Sequence, residues 1–86
     1  MLEDQQDSIA AVSARLKHVR ESLGFDKRGF AEGANMSEQA YGAFENGKRE
    51  LSLQAAKKLR KRYRLSLEFL YYGITDDLPT RISKYL

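Results

Sequence analysis

The residues with the most chemistry to offer are cations. Between positions 48 and 64 stand Lys48, Arg49, Lys57, Lys58, Arg60, Lys61, Arg62 and Arg64, opposed by Glu50 alone, a net charge of +7. Such a cluster on a small domain is the electrostatic footprint of a polyanion binder; a solvated helix face is the plain alternative. Residues 1–14, by contrast, carry Glu3, Asp4 and Asp7 and no base. The rest of the reactive inventory is sparse. The chain has no Cys and one His, His18. That excludes a disulfide scaffold, an iron–sulfur site and a thiol nucleophile, and a zinc site would depend on carboxylates. No metal and no other cofactor is expected. No nucleophile–base pair, phosphate loop or metal-ligand spacing stands out, so an enzyme is not expected. His18, set among charged neighbours, reads as solvated.

The elements that must position these cations have to fit in 86 residues, the length of one domain. The formal net charge is +3 and the sequence pI about 9.3. The longest apolar run, Phe69-Leu70-Tyr71-Tyr72, falls far short of the roughly 18 residues of a membrane span. The opening Met1-Leu2-Glu3-Asp4-Gln5-Gln6-Asp7 is acidic and polar, unlike a secretory signal. A soluble, cytoplasmic protein with no membrane partner is the expectation.

Helical spacing dominates the chain. Ile9, Val12, Leu16, Val19 and Leu23 recur as one apolar stripe, with Arg15, Lys17, His18 and Glu21 facing outward, and Gly24 supplies a stop. Asp26 caps a second, short helix through Ala34, which buries Phe30, Ala31 and Ala34. Gly29 and Gly33 each weaken it by about 1 kcal/mol relative to Ala, so packing must hold it. Asn35 tolerates a left-handed conformation at its end. Ser37 caps a third helix to about Asn46, with Ala40, Tyr41 and Phe44 inward, and Asn46-Gly47 signals a turn. Ser52 caps a fourth, whose Leu53, Ala56, Leu59 and Tyr63 leave the cations on a broad outer arc. Ser66 caps a fifth, Leu67 to Tyr72, stopped by Gly73. Five helices and no strand are predicted, with Val12, Leu16, Val19, Phe30, Met36, Tyr41, Phe44, Leu53, Leu59, Tyr63 and Leu70 in one core. Residues 1–8 form an acidic extension, 9–73 the domain, and 74–86 a tail in which Ile82, Tyr85 and Leu86 make a small apolar stripe for a dimer or partner contact.

Two short helices joined by a tight turn between Asp26 and Asn46 make a helix-turn-helix, a unit that projects its second helix into the DNA major groove. On these residues the chain resembles a known family. Arg15-Leu16-Lys17-His18-Val19-Arg20, Leu23-Gly24-Phe25, Phe30-Ala31-Glu32, Ser37-Glu38-Gln39-Ala40-Tyr41, Phe44-Glu45-Asn46-Gly47-Lys48-Arg49 and Leu65-Ser66-Leu67-Glu68-Phe69-Leu70 with Gly73 are similar to the DNA-binding domain of phage repressor and Cro proteins, the XRE-type helix-turn-helix family. The similarity runs from Ala11 to Gly73 almost without gaps, and Glu-Asn-Gly-Lys-Arg is its most specific piece.

The resemblance implies an all-α, five-helix, lambda-repressor-like fold and a sequence-specific transcriptional regulator, a repressor of phage or bacterial type, that binds double-stranded DNA as a homodimer. It implies base reading by Glu38, Gln39, Gly42 and Ala43, and phosphate contacts by Lys27, beside Asp26, and by Ser37, Asn46, Lys48 and Arg49. It further implies a structural ion pair between Arg20 and Glu45, while Tyr71 and Tyr72 are the residues expected at a dimer interface. Lys27 stands where the family commonly has Gln, Asn35 replaces its turn glycine, and the third helix has no Lys or Arg. Readout is therefore expected to rest on Gln39, Glu38 and DNA shape. The alternative expectation is an antitoxin-like module whose main partner is a protein.

Overall fold

Each helix begins on a side chain that satisfies a backbone amide. In the computed structural model, which describes residues 8–75, Ser8 accepts from the Ala11 amide at 3.1 Å, Asp26 from Gly29 at 2.7 Å and Ser37 from Ala40 at 3.1 Å. Ser52 and Ser66 repeat the device, accepting from Ala55 at 3.1 Å and Phe69 at 3.0 Å. Each such cap is worth roughly 1 kcal/mol, a large share for helices this short. They set the starts of α1 (Ile9–Ser22), α2 (Lys27–Gly33), α3 (Glu38–Glu45), α4 (Leu53–Tyr63) and α5 (Leu67–Tyr72). No strand occurs among the described residues, so the fold is all-α with five helices, as the resemblance implies. Residues 1–7 of the expected acidic segment and the stripe of Ile82, Tyr85 and Leu86 lie outside the described residues.

The helix ends follow the same local logic. Asn35 takes the left-handed conformation at φ 60° after α2, and Gly73 does so at φ 79° after α5. Arg64 adopts φ 62° at the end of α4, a position that favours glycine and costs a side-chain-bearing residue roughly 1–2 kcal/mol. Leu65 directly after it is fully buried, which offsets that cost.

One core joins the five helices. Val12, Leu16 and Val19 of α1 meet Phe30 and Ala31 of α2, Tyr41 and Phe44 of α3, Leu59 and Tyr63 of α4, and Phe69 and Leu70 of α5. Its centre is aromatic: Phe30 and Tyr63 stack at 4.3 Å with ring planes 6° apart, and Tyr41 meets Phe30 edge-on at 5.2 Å. The Tyr63 hydroxyl donates to the Phe30 carbonyl at 2.7 Å, so the ring pair also ties α4 to α2.

Five expectations need correction. Leu53 is not in the core but 53% exposed. It is the first residue of α4, and the inward face of that helix is Ala55, Ala56, Leu59 and Tyr63, with Leu51 supplying the buried leucine before the cap. Ile9, the first residue of α1, is 42% exposed. Met36 and Ala40 are half-buried, Met36 packing against the core from outside it. Arg15 does not simply face outward, because its guanidinium donates to the Leu70 carbonyl at 2.9 Å and fastens α1 to α5.

Candidate nucleic-acid interface

The pair α2 and α3 is held at a fixed angle from within. The Met36 amide donates to the Ala31 carbonyl at 2.9 Å, closing the turn that Asn35 opens. Tyr41 and Phe44 then turn the inner side of α3 into the core. What α3 presents outward is Glu38 and Gln39, both exposed, followed one turn later by half-buried Gly42 and Ala43. A side-chain carbon placed on Gly42 would meet nothing within 4 Å, so the space in front of that residue is open. Glu38 lies in the first turn of α3, where a carboxylate suits the positive end of the helix dipole.

Beyond α3 the chain folds back on itself. Asn46 caps the helix through its amide to the Gly42 carbonyl at 2.8 Å, and Gly47 turns at φ 75°. A side chain on Gly47 would press on the Ser13 hydroxyl at 3.3 Å, so both conformation and space favour glycine. The Lys48 and Arg49 amides then both donate to the Ala43 carbonyl, at 2.9 and 3.2 Å. This fastens two exposed cations to the C-terminal end of α3. Ser37, exposed, stands at the other end, its hydroxyl oxygen already serving as the cap.

A buried ion cluster sets the position of α3 on α1. Arg20 Nε donates to Glu45 Oε1 at 2.8 Å and its Nη2 to Oε2 at 3.1 Å, while Nη1 donates to the Phe25 carbonyl at 2.9 Å. The Glu45 side chain is only 2% exposed. Tyr41, one turn earlier, donates its hydroxyl to Glu45 Oε1 at 2.7 Å. Burial alone would raise the Glu45 pKa, but the hydrogen bonds from Arg20 and Tyr41 and the charges of Arg20 and Lys27 outweigh it and hold the carboxyl below its ordinary value. The Arg20 guanidinium is correspondingly held charged by its hydrogen bond to Glu45, against the opposing effect of burial. Burial first, then Glu45, pushes the Tyr41 hydroxyl far up, so it stays a donor. The Tyr41 contact has a sequence signal, the i, i+4 spacing to Glu45.

Lys27 is drawn into the same cluster. Its Nζ lies 3.9 Å from Glu45 Oε2 and donates to Asn46 Oδ1 at 3.2 Å, so the first residue of α2 meets the last of α3. The structure thus gathers Lys27 and Asn46 and sets Lys48 and Arg49 beside Ala43, with Glu38, Gln39, Gly42 and Ala43 together on one face. Tyr71 and Tyr72 are separate from that set. Tyr71 is half-buried and spends its hydroxyl on the Leu51 carbonyl at 2.8 Å, whereas Tyr72 is 57% exposed. At the opposite end of α3, Lys58 donates to the Asn35 carbonyl at 3.1 Å, a contact between residues 23 apart that no local pattern announces.

Among the described residues no group of three or more His, Cys, Asp or Glu is placed to hold a metal ion, and no helix is long and apolar enough to cross a membrane. Set against known families, the chain matches the helix-turn-helix family model over residues 16–70. It belongs to the helix-turn-helix family. The match places it with the DNA-binding regulators of Cro/XRE type and spans α1 from Leu16 through to Leu70 of α5, so it includes every residue of the α2–α3 unit. Comparison with curated proteins and with solved structures returns no match.

Proposed function

We propose that this helix-turn-helix protein is a sequence-specific transcriptional regulator, a repressor, that binds duplex DNA with α3 in the major groove. The observation that carries this reading is the outer face of α3: Glu38 and Gln39 are exposed, Gly42 faces open space beside half-buried Ala43, and Lys48 and Arg49 are tied to its end through the Ala43 carbonyl. In this reading Gln39 makes a bidentate contact with adenine and Glu38 accepts from cytosine. Gly42 and Ala43 let the helix approach the base pairs closely and contribute contact, not reach. Lys48, Arg49, Asn46, Ser37 and Lys27 hold phosphates, which fix the register without specifying sequence. Two copies occupy an inverted repeat, with Tyr72 the more available of the two tyrosines for their contact.

The test is a selection from randomised duplexes. The reading expects a short enriched sequence, repeated in inverted orientation with half-site centres about ten base pairs apart. Selection that enriches no sequence at all overturns it. One observation favours a second reading: α3 has Glu38 exposed and no cation of its own, which suits a basic protein partner. Capture of such a partner that is lost in Gln39→Ala, without any enriched duplex, would establish that alternative.

A further inference from the structure

The recognition helix is uncharged by bases, so its attraction to a polyanion must come from its two ends. At the C-terminal end stand Lys27, Lys48 and Arg49. The N-terminal end has a set of its own. A hollow of about 380 Å³ lies where the turn before α3 meets α4, lined by Gly33, Ala34, Asn35, Lys58, Lys61 and Arg62. Three of its six lining residues are cations and none is an acid. None of the three is paired with a carboxylate among the described residues.

The hollow is built by specific contacts. Lys58 Nζ donates to the Asn35 carbonyl at 3.1 Å and so clasps α4 to the turn. The Arg62 guanidinium lies over the Tyr63 ring, 5.6 Å from its centre, which restrains a side chain that would otherwise sweep freely. Gly33 leaves room for this arrangement: a side-chain carbon there would collide with the Tyr63 hydroxyl and come within 3.5 Å of Arg62 Nε. Arg60 of α4 and Arg64 at its C-cap are differently employed. Arg60 and Arg64 line a second hollow shared with Ser66 and Glu68, where the carboxylate opposes an anion.

We propose that the hollow between the α2–α3 turn and α4 is a second phosphate site, filled by the DNA backbone on the far wall of the major groove from Lys48 and Arg49. The proposal rests on the duplex-binding reading above and adds to it which further residues make contact. Its geometry follows from length. Eight residues of α-helix span about 12 Å, close to the width of the major groove, so charges at the two ends of α3 address opposite walls. Lys61 and Arg62 are exposed and supply the contacts, while Lys58 keeps the turn in place.

The experiment compares the salt dependence of duplex binding for the parent, for Lys61→Gln with Arg62→Gln, and for Arg60→Gln with Arg64→Gln. Both double variants remove two charges, the first from α4 and the second from α4 and its C-cap. Each phosphate contact contributes roughly 0.9 to the slope of log affinity against log salt, so the first variant should flatten the slope by about 1.8. Between 50 and 200 mM salt that amounts to an affinity ratio about twelve-fold less salt-sensitive than the parent's. The second variant should leave the slope within half a unit of the parent's. Arg62→Lys, which keeps the charge, should retain most of it, and thermal melts confirm that all variants are folded. Equal slopes for the two double variants overturn the second site. If Lys48→Ala flattens the slope while the Lys61/Arg62 variant does not, the second site fails and the duplex-binding reading stands. If the parent retains no duplex at any salt, both fail together.

Discussion

Removing Arg20 leaves the buried Glu45 carboxylate with too few partners, and the cost can be read from its surroundings. Glu45 loses two hydrogen bonds, of 2.8 and 3.1 Å, and keeps the Tyr41 hydroxyl and the more distant Lys27 ammonium. Breaking a buried pair from one side costs about 3–5 kcal/mol, and the surviving partners place Arg20→Ala near about 3. For a domain of this size that lowers the melting temperature by about 12–24 °C. Replacing both partners by apolar residues, Arg20→Met with Glu45→Leu, removes the stranded charge and should recover all but about 1 kcal/mol. The acid limb carries the same signature. Because the Glu45 carboxyl is held below its ordinary value, its contribution is present above that value and lost as pH falls through the folded one. The stability gap between the parent and Glu45→Gln should therefore narrow below about pH 4. Urea melts of the parent, Arg20→Met, Glu45→Leu and the double variant complete the cycle. Effects that simply add, within about 0.5 kcal/mol, would refute the coupling.

Other consequences follow from packing. Phe44, 8% exposed, should cost about 3–5 kcal/mol when truncated to Ala, seen as a shift in the urea midpoint; an unchanged midpoint would place it outside the core. Two glycines in helices should respond in opposite directions. Gly33→Ala forces the Tyr63 hydroxyl away from the Phe30 carbonyl and should destabilise despite alanine's better helix propensity. Gly42→Ala meets open space and should gain up to about 1 kcal/mol in the same melts.

Local chemistry made the fold readable. Asp26, Ser37, Ser52 and Ser66 announce helix starts because a cap acts over three residues, and Asn35 and Gly73 announce ends because few residues tolerate their backbone angles. Leu53 misled because a stripe at 53, 56, 59 and 63 is as regular as the true inward set, and only the packing of Leu51 and Ala55 chooses between them. Arg64 in the left-handed conformation carries no signal, since it is imposed by burying Leu65. For the interface, the face of α3 follows from its period alone. The contacts of Lys27 with Asn46 and of Lys58 with Asn35 do not, because they join residues 19 and 23 apart whose approach is fixed by the core.

The central claim is that α3 reads bases while the cations beside it hold phosphates, and two substitutions separate these roles. Lys48→Ala should flatten the slope of log affinity against log salt by about 0.9 and leave sequence preference unchanged. Gln39→Ala should keep the slope and lose about 1–3 kcal/mol of preference for the cognate base, measured by competition between selected and single-base-substituted duplexes. If Gln39→Ala keeps full sequence preference, or weakens all duplexes equally as Lys48→Ala does, the assignment of α3 as the reading helix is contradicted.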